Sequence, residues 1–341
     1  MKPPRKTVHR NERGVVIIWT AFFMLMMLGF VALGIDVAKL MATRTELQNA
    51  ADAAALAGAS ALDRTTGQLM PDTAVARAQY TSSGNKAFVD APVSVTLLAA
   101  DVQVDPAENT VKVTVRRNAG TDGSMITHVA QVLGINSVDV NATATAKADR
   151  VCEQCERLTP MAALPPPGES SFQVGCGQVY RLVEGQGTGV DGNWQLLSFP
   201  DCDEGQCSGM SGLTGADYLR CLLEHGYACC VGINDIVQTK PGANVGAVRP
   251  ALQARWDADR DKTPDICYSD YTGTGERIVH VPVTQSLGAG RTDVRVVGFS
   301  AFFLKRRPVG NDPVYAEFVY DVVPGVGGNC NSTVFTIRLI Q

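Results

Sequence analysis

Ten cysteines are the residues of this 341-residue chain best suited to covalent chemistry. They are Cys152, Cys155, Cys176, Cys202, Cys207, Cys221, Cys229, Cys230, Cys267 and Cys330. An even set confined to one part of a chain predicts structural disulfides wherever that part meets an oxidising compartment. Their spacing leaves the connectivity open, although adjacent Cys229 and Cys230 call for separate partners. Cys152-Glu153-Gln154-Cys155 is a C-x-x-C. In a thioredoxin-like setting such a pair is redox-active because a helix start stabilises its first thiolate. Here a Pro-containing stretch follows, so the setting is wrong. Zinc would require two further ligands, and neither a second C-x-x-C nor an H-x-x-x-H supplies them. His225 lies near Cys229 and Cys230 and could serve as base to a thiol nucleophile, but thiols in an oxidising compartment are ordinarily paired.

Three other patterns carry weaker chemistry. Gly187-Thr188-Gly189-Val190-Asp191-Gly192 fits G-x-G-x-x-G, yet a dinucleotide site needs a helix start directly after the loop. Asn193-Trp194-Gln195-Leu196 continues as a strand, which makes the glycines a turn. Asp257, Asp259 and Asp261 resemble the opening ligands of a calcium loop, but Lys262 replaces the turn glycine and Tyr268 the closing glutamate. No Ser sits in a G-x-S-x-G elbow. The expectation is a protein without catalytic residues, cofactor or metal.

The elements that would place these residues begin with a membrane span. Val15 to Ile35 is an uncharged apolar run of 21 residues, with Val15, Trp19, Phe23, Leu28 and Ile35 along it. About 20 helical residues cross a hydrocarbon core of roughly 30 Å. Lys2, Arg5, Lys6, Arg10 and Arg13 precede it against Glu12 alone, and a cationic flank stays cytoplasmic. A cleaved signal peptide would have a shorter apolar region ending at a small-residue site. The span is therefore predicted to be a lasting anchor, with all that follows exported. A net charge of -4 and a pI near 5.6 leave no broad basic surface for nucleic acid.

Past the span, Ala- and Leu-rich sequence predicts helix to about Leu62. Leu47, Ala50, Ala54 and Gly58 form a small-sided stripe at three- and four-residue steps. Small residues at four-residue spacing admit a second backbone closely, whether from a partner helix, including a second copy of the chain, or from the protein's own next domain.

The stretch RNERGVVIIWTAFFMLMMLGFVALGIDVAKLMATRTELQNAADAAALAGASAL resembles the N-terminal segment of Tad (Flp) pilus-assembly proteins of the TadE/TadG type. The resemblance rests on the basic residue and Gly14, the span, Asp36 at its outer end and the Ala-rich helix. Prepilin-like relatives carry Glu five residues after such a Gly to mark processing, whereas this chain has Trp19. That favours a permanently anchored assembly component nearer TadG. DGNWQLLSF, INDIVQTKPGANVGAVRPAL and VRVVGFSAFFL are similar to the exported part of TadG-related proteins. The resemblance implies a non-catalytic component of a pilus or secretion assembly, in the bacterial inner membrane with its N-terminus cytoplasmic and its C-terminal domains periplasmic or extracellular. It implies other pilus-assembly or envelope proteins as partners. The alternative is an anchored thiol-disulfide oxidoreductase using the C-x-x-C. Some TadG-like proteins carry a D-x-S-x-S metal motif, and no such string occurs here.

The predicted fold class is α+β, a long transmembrane helix leading into mixed domains with antiparallel-rich sheets. The expected layout is a tail (1–14), the span (15–35), a helix extension (36–62), a small α+β domain (63–150), a Cys/Pro-rich linker (151–171) and a disulfide-stabilised α+β domain (172–341). Within the small domain, strands are expected at 93–98, 101–105 and 110–117 and a helix at SMITHVAQVLGI. VRVVGFSAFFL, apolar on both faces, should be central. Its faces are expected to be Val294, Val296, Phe302 and Leu304 on one side, and Val297, Phe299, Ala301 and Phe303 on the other.

Overall fold

The computed structural model describes residues 13–87, 93–166, 171–183, 194–210, 215–240, 245–286, 291–310 and 312–340. The cationic tail residues Lys2 to Arg10 and the Gly187–Gly192 turn lie outside them. The architecture is α+β: one very long apolar helix, then sheet-rich structure with shorter helices.

Helix α1, Arg13–Ala59, contains the apolar run and the Ala-rich stretch without interruption. It ends at Ala59, three residues before the expected Leu62. There Ala61 N–H donates to Gly58 O and the chain turns away. Helix α2, Pro71–Gly84, starts on a proline, whose missing N–H costs nothing at the first helical position and whose φ is already helical.

The chain divides into two compact units. The first comprises residues up to Ala54, Ala78–Val102 and Val113–Ala144. Inside it, the expected helix at 124–135 is instead a hairpin. Met125–Ile126 pairs antiparallel with Ser137–Val138, and a short 3-10 turn, Ala130–Leu133, lies between them. Gly134 closes the turn at φ 85°, a left-handed conformation that glycine adopts without penalty. Of the strand expected at 93–98, only Val93–Ser94 is a strand.

The second unit comprises Ala55–Arg77, Gln103–Lys112 and Thr145–Gln341. Its seven-stranded sheet runs Ile236–Thr239, Trp194–Ser198, Met161–Ala163, Ile278–Thr284, Asp293–Leu304, Val314–Val319, Val179–Val183. The first of these also pairs with Asp293–Leu304. The strand Met161–Ala163 falls inside the stretch expected as a linker, and so does the end of the strand Val140–Gln154. Helix α3, Gly215–His225, buries Leu219, Leu222 and Leu223. Helix α4, Val245–Ala258, buries Ala247, Val248, Ala251, Leu252 and Trp256. These α4 residues share a core with Phe302, Leu304 and Phe318. A second core gathers Phe299, Ala301 and Phe303 with Val151 and Val334. The latter two belong to the strands Val140–Gln154 and Val334–Ile340, which pair antiparallel in a second seven-stranded sheet.

Strand Asp293–Leu304 is central, between Ile278–Thr284 and Val314–Val319, but the expected division of its faces needs correction. Val283 pairs with Gly298 and Thr284 with Val296, so Val297 is one residue extra. A bulge of one residue exchanges the faces beyond it. Val294 and Val296 accordingly pack with Phe299, Ala301 and Phe303 and away from Phe302 and Leu304.

Candidate functional site

From residue 16 to 35, α1 turns its apolar side chains outward, including Trp19, Phe23, Leu28 and Ile35, and Val15 lies in the helix just before them. The helix is long and apolar enough to cross a membrane, and the 18-residue window that carries this is 0% buried. Trp19 packs on Phe22 and Phe23 at ring distances of 6.4 and 6.2 Å. Thr20 Oγ1 donates to Val16 O at 2.9 Å, so its hydroxyl is satisfied within the helix, as an apolar surrounding requires.

At Asp36 the character of α1 changes. Its carboxylate is only 3% exposed and accepts three backbone hydrogen bonds, from His128 N at 3.0 Å, Val129 N at 2.8 Å and Ala130 N at 3.0 Å. These are the free donors that open the 3-10 turn of the hairpin. A carboxylate on successive N–H groups is a charge-assisted, oriented contact. About two turns further on, Thr43 Oγ1 meets Met125 Sδ at 3.6 Å.

Leu47, Ala50, Ala54 and Gly58 are all buried, together with Ala51 and Ala55, while Ala53 is half-buried. At Gly58 a Cβ would stand 2.9 Å from Val111 Cγ1 and 3.3 Å from Ala74 O, which gives the absence of a side chain a steric reason.

The ten cysteines form five disulfides: Cys152–Cys330, Cys155–Cys230, Cys176–Cys267, Cys202–Cys229 and Cys207–Cys221. Adjacent Cys229 and Cys230 take separate partners. The two cysteines of the C-x-x-C are bonded elsewhere and not to each other, which removes the dithiol that the oxidoreductase alternative relies on. Glu153 approaches Cys155 and Cys230 closely enough to suggest a metal ligand group, but both sulfurs are spent in a disulfide and neither is a thiolate.

The carboxylates of the acidic triplet are taken up by donors of the chain itself. Asp257 forms a forked pair with Arg307, at 2.8 and 2.7 Å. Asp259 accepts from Tyr271 Oη and from the N–H groups of Asp261 and Arg277. Asp261 accepts from Thr263 N at 3.0 Å and Thr272 N at 3.1 Å, and these backbone donors hold its carboxyl down at about 2. The three carboxylates thus face separate donors and do not converge as calcium ligands. Arg277, fully buried, is sandwiched between Trp256 at 3.8 Å and Phe303 at 4.3 Å. Its guanidinium donates to the carbonyls of Leu304, Asp261 and Thr263.

A buried pair that no motif signalled joins His280 Nε2 to Asp321 Oδ2 at 2.9 Å, with Arg64 on the other carboxylate oxygen. Among the described residues no serine, threonine or free cysteine is hydrogen-bonded to that imidazole. The pair lies buried in the core. Only the strand pattern IVHVPV could have placed His280 inside.

Residues 14–61 match the family model Tad, described as putative Flp pilus-assembly TadE/G-like. No curated protein and no solved structure matches the chain. The matched segment covers the outward-facing apolar helix, Asp36 and the buried small-residue stripe. Over that segment, and not beyond it, the chain is similar to the TadE/G-like proteins of Flp pilus assembly.

Proposed function

We propose that this protein is a non-catalytic component of a Tad-type pilus or secretion assembly, nearer TadG, held in the bacterial inner membrane by residues 15–35 and working through protein contacts of its exported part. One observation carries the reading. The helix whose apolar side chains face outward is the segment that matches the Tad family. Five disulfides after residue 150 add support, because such bonds persist outside the reducing cytosol. The cationic residues before the span favour a cytoplasmic N-terminus. The stripe Leu47, Ala50, Ala54 and Gly58 is covered within the chain, which favours docking on the protein's own structure over self-association through that face. Other envelope or pilus-assembly proteins would then meet other surfaces.

A topology reporter fused after Gln341 tests the reading. Alkaline phosphatase there should be active and a cytoplasm-restricted reporter inactive, with the protein retained in the inner-membrane fraction. The opposite pattern, or a mature N-terminus beyond Ile35, would remove the anchor from the account.

A further inference from the structure

The hairpin of residues 123–138 shows large apolar side chains to the outside. Val132 is 86% exposed, Ile126 62% and Ile135 49%. These 16 residues contain no Asp, Glu, Lys or Arg, although at the chain's 19% charged content they would hold about three. Exposed apolar residues grouped on an uncharged segment mark a surface meant for another apolar phase.

Contacts with α1 give the hairpin a direction. Met125, in its first strand, touches Thr43, whereas His128, Val129 and Ala130 bind Asp36. Seven residues of helix separate these two levels, about 10 Å at 1.5 Å per residue. From base to tip the hairpin therefore runs back along α1 toward the apolar run that ends at Ile35. Beyond Ala130 the chain makes its turn, and Ile135 N–H returns to Ala130 O. The flanking acids stay at the base, where Asp122 accepts from Thr96 N and Asp139 from Ser124 Oγ. Val132 and Ile135 thus stand at the same end as Ile35, on the first residues past the span.

We infer that this hairpin is a second membrane contact. Its tip lies in the interfacial layer of the bilayer that α1 enters, with Ile126, Val132 and Ile135 against lipid. The inference rests on the reading of α1 as a membrane span. Asp36 is then the positioning residue: its carboxylate ties the lipid-facing tip to the point where the helix leaves the hydrocarbon. An apolar face without charges suits the headgroup boundary, and three backbone N–H groups at that depth, where water is scarce, are satisfied by the carboxylate.

The test uses the full chain with its disulfides intact, reconstituted in phosphatidylethanolamine–phosphatidylglycerol vesicles. A nitroxide is attached singly through Val132→Cys, with Val31→Cys inside the span as the lipid reference. Asn49→Cys, exposed on α1 about 20 Å beyond Asp36, is the aqueous reference, and Ile126→Cys repeats the measurement on the hairpin. Collision with oxygen, which concentrates in lipid, is compared with collision with a water-soluble nickel chelate. Residue 132 should give an oxygen-to-nickel ratio several-fold above that of residue 49 and close to that of residue 31. A ratio at 132 equal to that at 49, with 31 still lipid-like, overturns the inference and leaves the anchor standing. A water-like ratio at 31 overturns the anchor and the inference together.

Discussion

Of the two ring nitrogens of His280, Nε2 lies 2.9 Å from Asp321 while Nδ1 is buried without a protein partner. That arrangement suits the neutral ring with its proton on Nε2, since protonation would place a donor on Nδ1 with nothing to receive it. Burial pushes the imidazole below its ordinary value near 6.5, against the opposing pull of Asp321. Burial would by itself raise the Asp321 carboxyl, but the bond from His280 and the charge of Arg64 hold it down. The unfolded chain therefore takes up a proton on this histidine before the folded one does. Stability from this group is complete above about pH 6.5 and declines as the pH falls, by at most about 1.4 kcal/mol per pH unit. Melting curves from pH 7.5 to 5 should show that decline, and His280→Gln should flatten it. A wild-type curve level across the range would mean that the ring stays neutral in both states or charged in both.

Among the elements, α1 was legible because two of its signals need only local sequence: an uncharged apolar run and uninterrupted helix formers. The hairpin at 123–138 was not. Val129, Val132 and Ile135 stand at helical steps, but the deciding interaction is the capture of three N–H groups by Asp36, more than ninety residues earlier. No window along the chain contains both partners. The bulge at Val297 leaves no local signal for a related reason, since an apolar residue on either face of a doubly covered strand leaves the pattern unchanged. The buried stripe on α1 makes a prediction at this scale. Ala54→Leu retains helix propensity while adding bulk to a fully buried position, at about 1–3 kcal/mol of overpacking. Ala53→Leu, on the half-buried side, should cost much less. Both variants should insert in the membrane equally, and limited proteolysis should separate them. Equal resistance would show that the cover over Ala54 yields easily.

For the molecule as a whole, the sequence made the cysteines recognisable as a framework but not their pairing. Cys229 and Cys230 had to part, yet which strands bring Cys152 to Cys330 depends on the sheet. The strand Val140–Gln154 pairs with Gly325–Gly328, just before Cys330, so the longest bond fixes a pairing between parts 178 residues apart. Each bond of this kind stabilises by about 2–4 kcal/mol, largely through the unfolded chain. Intact mass after alkylation should find ten protected cysteines, and reduction should lower the melting temperature. The pattern of crossing also bears on biogenesis. If thiols joined in the order in which they emerge from a translocon, the bonds would be 152–155, 176–202, 207–221, 229–230 and 267–330. Of these, only Cys207–Cys221 is native. Four of the five native bonds must wait for later cysteines or be reshuffled, and the partner of Cys152 is the last cysteine of all. With the cysteine-bearing part in the periplasm, as proposed above, cells lacking a periplasmic disulfide isomerase should accumulate misbonded, short-lived protein, visible as laddering on non-reducing gels. Its supply would then depend on the envelope's proofreading capacity as much as on its own synthesis.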